Sequence, residues 1–278
     1  MRKYTTVKII QIFCVIQMLP FQTFAQFFDH PSKVLDSANI CVTYTMDWKQ
    51  DTNNIKQVRH EDMILLVGQK MSQFMSKNFY TCSLLGRKAE REGRLDEFFD
   101  GQEMQNFRTR YSYKIYKNYP TGRYTYTDKV MPAFLQYDED LDVFSWQLTN
   151  LVDTIGEYVA HCAYTEYGGR HWVAWYTTDI PINDGPYKFK GLPGLIIRLY
   201  DDKNHYTFDM VKMERSNEAM LIEYEDRGWV QTSRSNFLKA QENFRLDIIN
   251  RAKEAGANNE SQQVAVRNMS RRNNPIEF

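Results

Sequence analysis

The chain has 278 residues, with 35 Lys and Arg against 35 Asp and Glu, and 14% of its residues are aromatic. A formal net charge of zero offers no electrostatic footprint for a polyanion, so nucleic acid is not expected as a partner. The length allows one sizeable core or a domain with appendages, and the aromatic content leans towards a β-rich class.

Residues 1–25 predict an export leader. Arg2, Lys3 and Lys8 make a basic start, Ile9 to Phe24 is mostly apolar, and Thr23-Phe-Ala25 precedes Gln26 with small residues where a signal peptidase reads. Gln11, Gln17, Pro20 and Gln22 interrupt the run and make a poor permanent span. Cys14 follows Gln11-Ile-Phe, which lacks the small residues expected before a lipidated cysteine. Cleavage after Ala25 removes three bases and leaves a net charge of −3. No later stretch is apolar for long enough to cross a bilayer, so no transmembrane span is expected after cleavage. The expected location is the periplasm or the outer membrane's surface. Residues 26–255 are expected to form a single β-rich domain, and 256–278 a polar, partly loose tail.

In chain order, Ile40, Val42, Tyr44, Met46 and Trp48 alternate strictly and predict a strand over 38–49. Met63 to Val67 and Met71 to Ser76 predict a hairpin turned by Gly68-Gln-Lys70. Leu85, Ala89, Leu95 and Phe99 suggest a helix or a mobile charged excursion over 83–99, weakened by Gly86 and Gly93. Further strands are predicted at 108–116, 123–126, 133–137 and 143–148. Their short turns imply antiparallel pairing. Val159 to Glu166 and His171 to Thr177 flank Tyr167-Gly-Gly-Arg170, a hairpin signal, and 195–200 with 205–213 predicts a second hairpin. A weaker strand follows at 220–225. Phe237, Ala240, Phe244 and Ile248 then predict a helix over 236–252, with Ser235 as N-cap and Gly256 as its stop.

Six of the thirteen glycines and three of the eight prolines lie between Gly156 and Gly194. Asp184-Gly185-Pro186 predicts a turn, and in Gly191-Leu192-Pro193-Gly194 the Pro193-Gly194 pair fits the centre of a type II turn, with Gly194 at positive φ. The motif lacks the spacing, the lysine–hydroxyl pair and the following helix of a phosphate cradle. Aromatic and charged residues crowd the same region. By strand parity Trp172 and Tyr176 face one side, and Trp175 the other. Arg170, Trp172, Trp175, Tyr176, Asp184 and Lys188 are the candidate binding residues. They read either as packing or as a groove for a mixed apolar–polar ligand.

No catalytic set is named. The chain has no nucleophile elbow, metalloprotease helix or P-loop. Asp179 and Asp184 form a conceivable carboxylate pair. His161, Cys162 and His171 make too weak a ligand set for a metal, because neighbours on a strand point to opposite faces. No cofactor is expected. Cys41, Cys82 and Cys162 allow one disulfide in any of three pairings, or three unpaired thiols.

The run from Gly169 to Ile196, ending in Gly191-Leu-Pro-Gly-Leu-Ile196, resembles the GLPGLI family, a group of exported proteins typical of Bacteroidetes. Cys162, Ser72-Gln-Phe-Met-Ser76 and Asn274-Pro-Ile-Glu277 match as well, so the resemblance spans 38–278. It implies a signal peptide, an envelope location and a β-rich domain. That domain's curved sheet is similar, more loosely, to the bowl-shaped module at the front of some bacterial glycan-releasing amidases. The resemblance implies no catalytic residue, and Gly86 to Phe99 has no counterpart in it. The expected fold is mainly β (α+β): a curved antiparallel sheet, bowl or half-barrel, with a C-terminal helix and one charged helix. The expected function is non-enzymatic binding of an envelope glycan, peptide or lipid, or of an outer-membrane protein. An envelope hydrolase with carboxylates at the rim, and a structural scaffold, are the alternatives.

Overall fold

A computed structural model describes residues 27–254 and 259–278. The leader expected over 1–25 and the stop at Gly256 lie outside them. Among the described residues twelve strands form one open sheet, in chain order β1 (Ser32–Trp48), β2 (Arg59–Gly68), β3 (Ser72–Ser76), β4 (Lys114–Lys117), β5 (Arg123–Val130), β6 (Ala133–Asp140), β7 (Gln147–Ile155), β8 (Tyr158–Tyr167), β9 (Arg170–Thr177), β10 (Leu195–Asp201), β11 (Tyr206–Glu225) and β12 (Val230–Gln231). Their order across the sheet is β12-β6-β5-β4-β3-β2-β1-β11-β10-β9-β8-β7. Every pairing is antiparallel except β12 on β6. The mainly β expectation holds. The sheet stays open, because its edge strands β12 and β7 are not neighbours.

The alternation in β1 works as the sequence implies: Val42, Tyr44, Met46 and Trp48 all point into the larger core. The opposite face carries a smaller core of Ala38, Ile64, Leu66, Met71, Met75, Tyr116 and Ile222. The strands expected at 205–213 and 220–225 are one, β11, whose register against β1 jumps between Ala38↔Met220 and Ile40↔Arg215. The ladder of β4 begins only at Lys114, although its strand was expected from 108. Tyr111 and Tyr113 alternate in sequence because a loop packs both rings, 5.6 Å apart and edge-on, with Tyr111 against Trp48. Likewise Phe144 and Trp146 lie outside β7 and pack on Phe189.

The charged stretch is helical: α1 (Lys77–Arg91), α2 (Leu95–Asp100) and α3 (Gln102–Asn106). Ser76 caps α1, its hydroxyl accepting from Phe79 N at 3.1 Å. Gly86 is a close-approach position, since a Cβ there would lie 2.5 Å from the Phe28 ring. Of the expected apolar stripe Ala89 is buried, but the buried aromatic of α2 is Phe98, while Phe99 is 39% exposed.

The C-terminal helix begins earlier than expected and breaks. It is α4 (Arg234–Leu246), capped by Ser233 rather than Ser235, then α5 (Ile248–Glu254). The Ser233 hydroxyl reaches Asn236 N at 3.2 Å. The tail forms α6 (Asn259–Ser270), and its last residues return to the core: Asn274 and Glu277 are each 4% exposed. Cys41, Cys82 and Cys162 are all free thiols. Burial pushes the Cys41 thiol up to about 11. Among the described residues no helix is long and apolar enough to cross a membrane.

Candidate functional site

The Gly/Pro-rich segment between β9 and β10 lies in the larger core, and its glycines serve different ends. Gly191 has φ of +100°, a conformation other residues enter only with strain. Gly194 is not in the left-handed region, so Pro193-Gly194 is not the expected type II turn. Gly194 is instead a close-approach position, where a Cβ would fall 2.0 Å from the Thr177 carbonyl oxygen. A Cβ on Gly185 would meet Ile196 at 2.8 Å. Pro186 and Leu192 are buried, while Pro193 is exposed.

This placement puts two charged groups of the segment, Asp184 and Lys188, into the interior. Asp184 is held by Lys117, whose Nζ donates to its Oδ1 at 2.6 Å, and by the Ser72 hydroxyl at 2.5 Å. Lys117 also donates to the carbonyls of Gly185 at 2.7 Å and Phe189 at 3.2 Å. Burial pulls the Lys117 ammonium below its ordinary range, against the pull of Asp184.

Lys188 is fully buried and ringed by Tyr124, Tyr126, Tyr137, Tyr167 and Tyr187, with centroids 4.9–5.5 Å from its Nζ. Its Nζ donates to Tyr137 Oη at 2.7 Å and Tyr167 Oη at 2.9 Å, and pairs with Glu277 at 2.6 Å. Tyr187 sits at φ of +54°, which lets adjacent side chains enter one cluster. Its hydroxyl and Arg234 Nε both reach the Glu277 carboxylate, at 2.5 and 2.6 Å. Burial opposes ionisation of Glu277, but Lys188 and Arg234 outweigh it and hold the carboxyl below its usual range.

Arg170 grips the same tail. It donates to Asp201 at 2.9 Å, to Asn274 Oδ1 at 2.7 Å, and to the carbonyls of Pro275 and Ile276. Its guanidinium stacks between Tyr206 and Phe278.

Five of the six expected binding residues, Arg170, Trp172, Tyr176, Asp184 and Lys188, are therefore buried. The parity expectation for β9 holds, and Trp175, facing the other way, is half-buried. Trp172 packs on Phe189 with centroids 4.8 Å apart. The groove expected around these residues is filled by the chain itself, because the tail and the Gly/Pro segment supply the partners a ligand would have supplied. Asp179 is exposed, whereas Asp184 is locked to Lys117. His161 stacks near Tyr176, and the described residues hold no group of three or more potential metal ligands. Lys117, Glu139, Arg234 and the tyrosine ring escaped the sequence reading. Glu277 did carry a signal, in the match at Asn274-Pro-Ile-Glu277.

An accessible cleft of about 210 Å³ lies on the other face, beside α1. Phe79, Phe134 and Trp229 wall it, and Lys114, Glu225 and Arg227 supply its charge. Lys114 pairs with Glu225 at 2.8 Å, and Arg227 reaches the other Glu225 oxygen at 2.7 Å. Phe134 and Trp229 meet edge-to-face at 5.6 Å, and Lys129 lies 5.5 Å over Phe134. Burial opposes the charge on Glu225, but Lys114 and Arg227 prevail and draw its carboxyl down to about 2. Ser112, also on the wall, donates to Asp128 at 2.6 Å; burial there pushes the carboxyl up to about 6.

Fold and site together define an open, mainly antiparallel sheet protein with a self-filled polar core and an aromatic-walled cleft. A family model described as a protein of unknown function (Porph_ging) matches residues 168–198, from the β8–β9 turn into β10. Among solved structures the chain is similar to PNGF-II in its P21 crystal form, with a TM-score of 0.50 and 9% identity over 76% of this chain and 34% of that one. The C2 form gives a TM-score of 0.45 and 11% identity over 74% and 33%. This chain thus spans about a third of PNGF-II's length, and the likeness is one of fold alone. No curated protein matches.

Proposed function

We propose that this chain is a non-enzymatic binding protein of the cell envelope, exported by its N-terminal leader, which holds part of a glycan in the cleft beside α1. The observation that carries this reading is the pairing of aromatic walls with charged groups in an accessible cleft. Phe134 and Trp229 offer a face for the C–H surface of a sugar ring, and Lys114, Arg227 and Glu225 offer donors and acceptors for its oxygens. The cleft is smaller than the roughly 300–1,000 Å³ of sites for drug-sized ligands, which suits one ring or a chain end. The polar groups of the larger core are spent on one another and on the tail, which argues against Asp184 as a working carboxylate.

The test is to incubate the protein with fractionated envelope glycans, peptides and lipids and to follow both ligand and product by mass spectrometry. An intact glycan should co-purify, and Trp229→Ala should lower its affinity at least tenfold. Retention of only peptides or lipids would reject the glycan assignment. Formation of a cleaved product would reject the non-enzymatic one.

A further inference from the structure

A second concavity, of about 150 Å³, is built from three distant parts of the chain. The loop after β1 and the start of β2 bring Gln50 and Arg59, the segment before β4 brings Arg110, and the end of α6 with the two residues after it brings Asn268, Arg271 and Arg272. Four arginines thus line one small space. Among the described residues Asp51 is the only carboxylate lining it, and its Oδ1 accepts from Asn53 N and Asn273 Nδ2, each at 3.0 Å.

Elsewhere the chain matches its arginines with carboxylates: Arg170 with Asp201, Arg227 with Glu225, Arg234 with Glu277. Here it does not. Among the described residues none of Arg59, Arg110, Arg271 and Arg272 forms a salt bridge. Arg59 Nε is buried with no hydrogen-bond partner, an arrangement that costs free energy unless something accepts that bond. Arg110 donates to a neutral acceptor, Gln50 Oε1, at 2.6 Å. Burial, together with Arg59 and Arg272, draws the Arg110 guanidinium below its ordinary range, as expected where like charges crowd.

We propose that this pocket binds a phosphoryl group. Several converging guanidinium forks offer more donors than the two oxygens of a carboxylate accept, whereas a phosphoryl group presents three strong acceptor oxygens and two negative charges. The site stands apart from the aromatic cleft, being lined by entirely different residues. It also has a structural consequence. A ligand there bridges the β1–β2 loop to the end of α6, immediately before the residues that dock into the core. Occupancy therefore stabilises the docked tail by linkage.

The test uses the whole protein, with calorimetric titration and thermal melts in glucose 6-phosphate, inorganic phosphate, sulfate and chloride at matched ionic strength. Phosphoryl compounds should bind and raise the melting temperature beyond the chloride control. Arg59→Gln and Arg110→Gln should each weaken binding at least tenfold. Arg272→Gln, on an exposed residue that leaves the fold intact, should also weaken it, and Arg198→Gln should not. A second arm sediments the protein with phosphatidylcholine vesicles containing or lacking phosphatidic acid. Binding to the free monoester assigns a soluble phosphorylated ligand, and sedimentation only with phosphatidic acid assigns a lipid headgroup. No response above chloride in either arm, or an unchanged response in all three pocket variants, overturns the proposal.

Discussion

The two faces of the sheet treat buried charge in opposite ways. On the larger face, Lys188 and Glu277 are sealed in the core, with half-buried Arg234 and Glu139 at their edge, and the hydrogen-bonding capacity of the lysine is spent inside the chain. On the α1 face, Lys114, Glu225 and Arg227 pair just as tightly but line an accessible cleft. A sealed network specifies one arrangement, because each member strands the others if it leaves. A network lining a cleft can exchange a partner for water or a ligand at lower cost.

The largest expected effect lies in the sealed network. Glu277→Ala leaves Lys188 and Arg234 short of their main counter-charge, and should cost about 3–5 kcal/mol in urea unfolding. Adding Lys188→Met should recover part of that loss. A loss below about 1 kcal/mol for the single change would show that the tail docks without this pair, and the contrast between the faces would fall.

A smaller effect is expected at the cleft. Glu225→Gln keeps the shape but removes the charge facing Lys114 and Arg227, and should cost about 1.5–3 kcal/mol, the range for hydrogen bonds to charged groups. The sign with pH follows from a folded carboxyl at about 2 against an ordinary 4.5. The stability Glu225 contributes is complete above its unfolded value and is lost as pH falls from about 5 towards 2. Wild type and Glu225→Gln should therefore converge in acid, as unfolding curves at pH 7 and pH 3 would reveal.

The smallest effect has the opposite sign and lies at Asp128, the acceptor of Ser112 on the cleft wall. Asp128, with its carboxyl raised to about 6 from 3.8, favours the folded state only when protonated. Its ionisation opposes folding as pH rises from about 4 through 6. Asp128→Asn, which can still accept from Ser112, should stabilise the protein by about 1–2 kcal/mol at pH 7 and by nothing near pH 4. Equal gains at both pH values would refute a titrating carboxylate.

Much of the sheet was legible beforehand. The alternation of β1, the Gly-Gly hairpin of β8 and β9, and the β10–β11 hairpin are local patterns with a period of two, and they fold as that period dictates. The failures share one cause. Tyr111 with Tyr113, and Phe144 with Trp146, carry the same alternation in loops, because a core accepts inward side chains from any extended backbone. Gly194 looked like a positive-φ glycine, yet its constraint is the Thr177 carbonyl on another strand, which no local pattern records.

The candidate site was legible in composition and not in role. Arg170, Asp184 and Lys188 were picked out beside large aromatics, but their partners stand at positions 274–276, 117 and 277. By itself the sequence determined the strand-rich class, the principal hairpins and the concentration of backbone constraint before β10. Those features depend on side-chain period and on the φ preferences of glycine and proline, which act over a few residues. Only the tertiary structure decided which charges were sealed and which lined a cleft. Whether a charge is desolvated, and what repays that cost, depends on groups brought together from far along the chain.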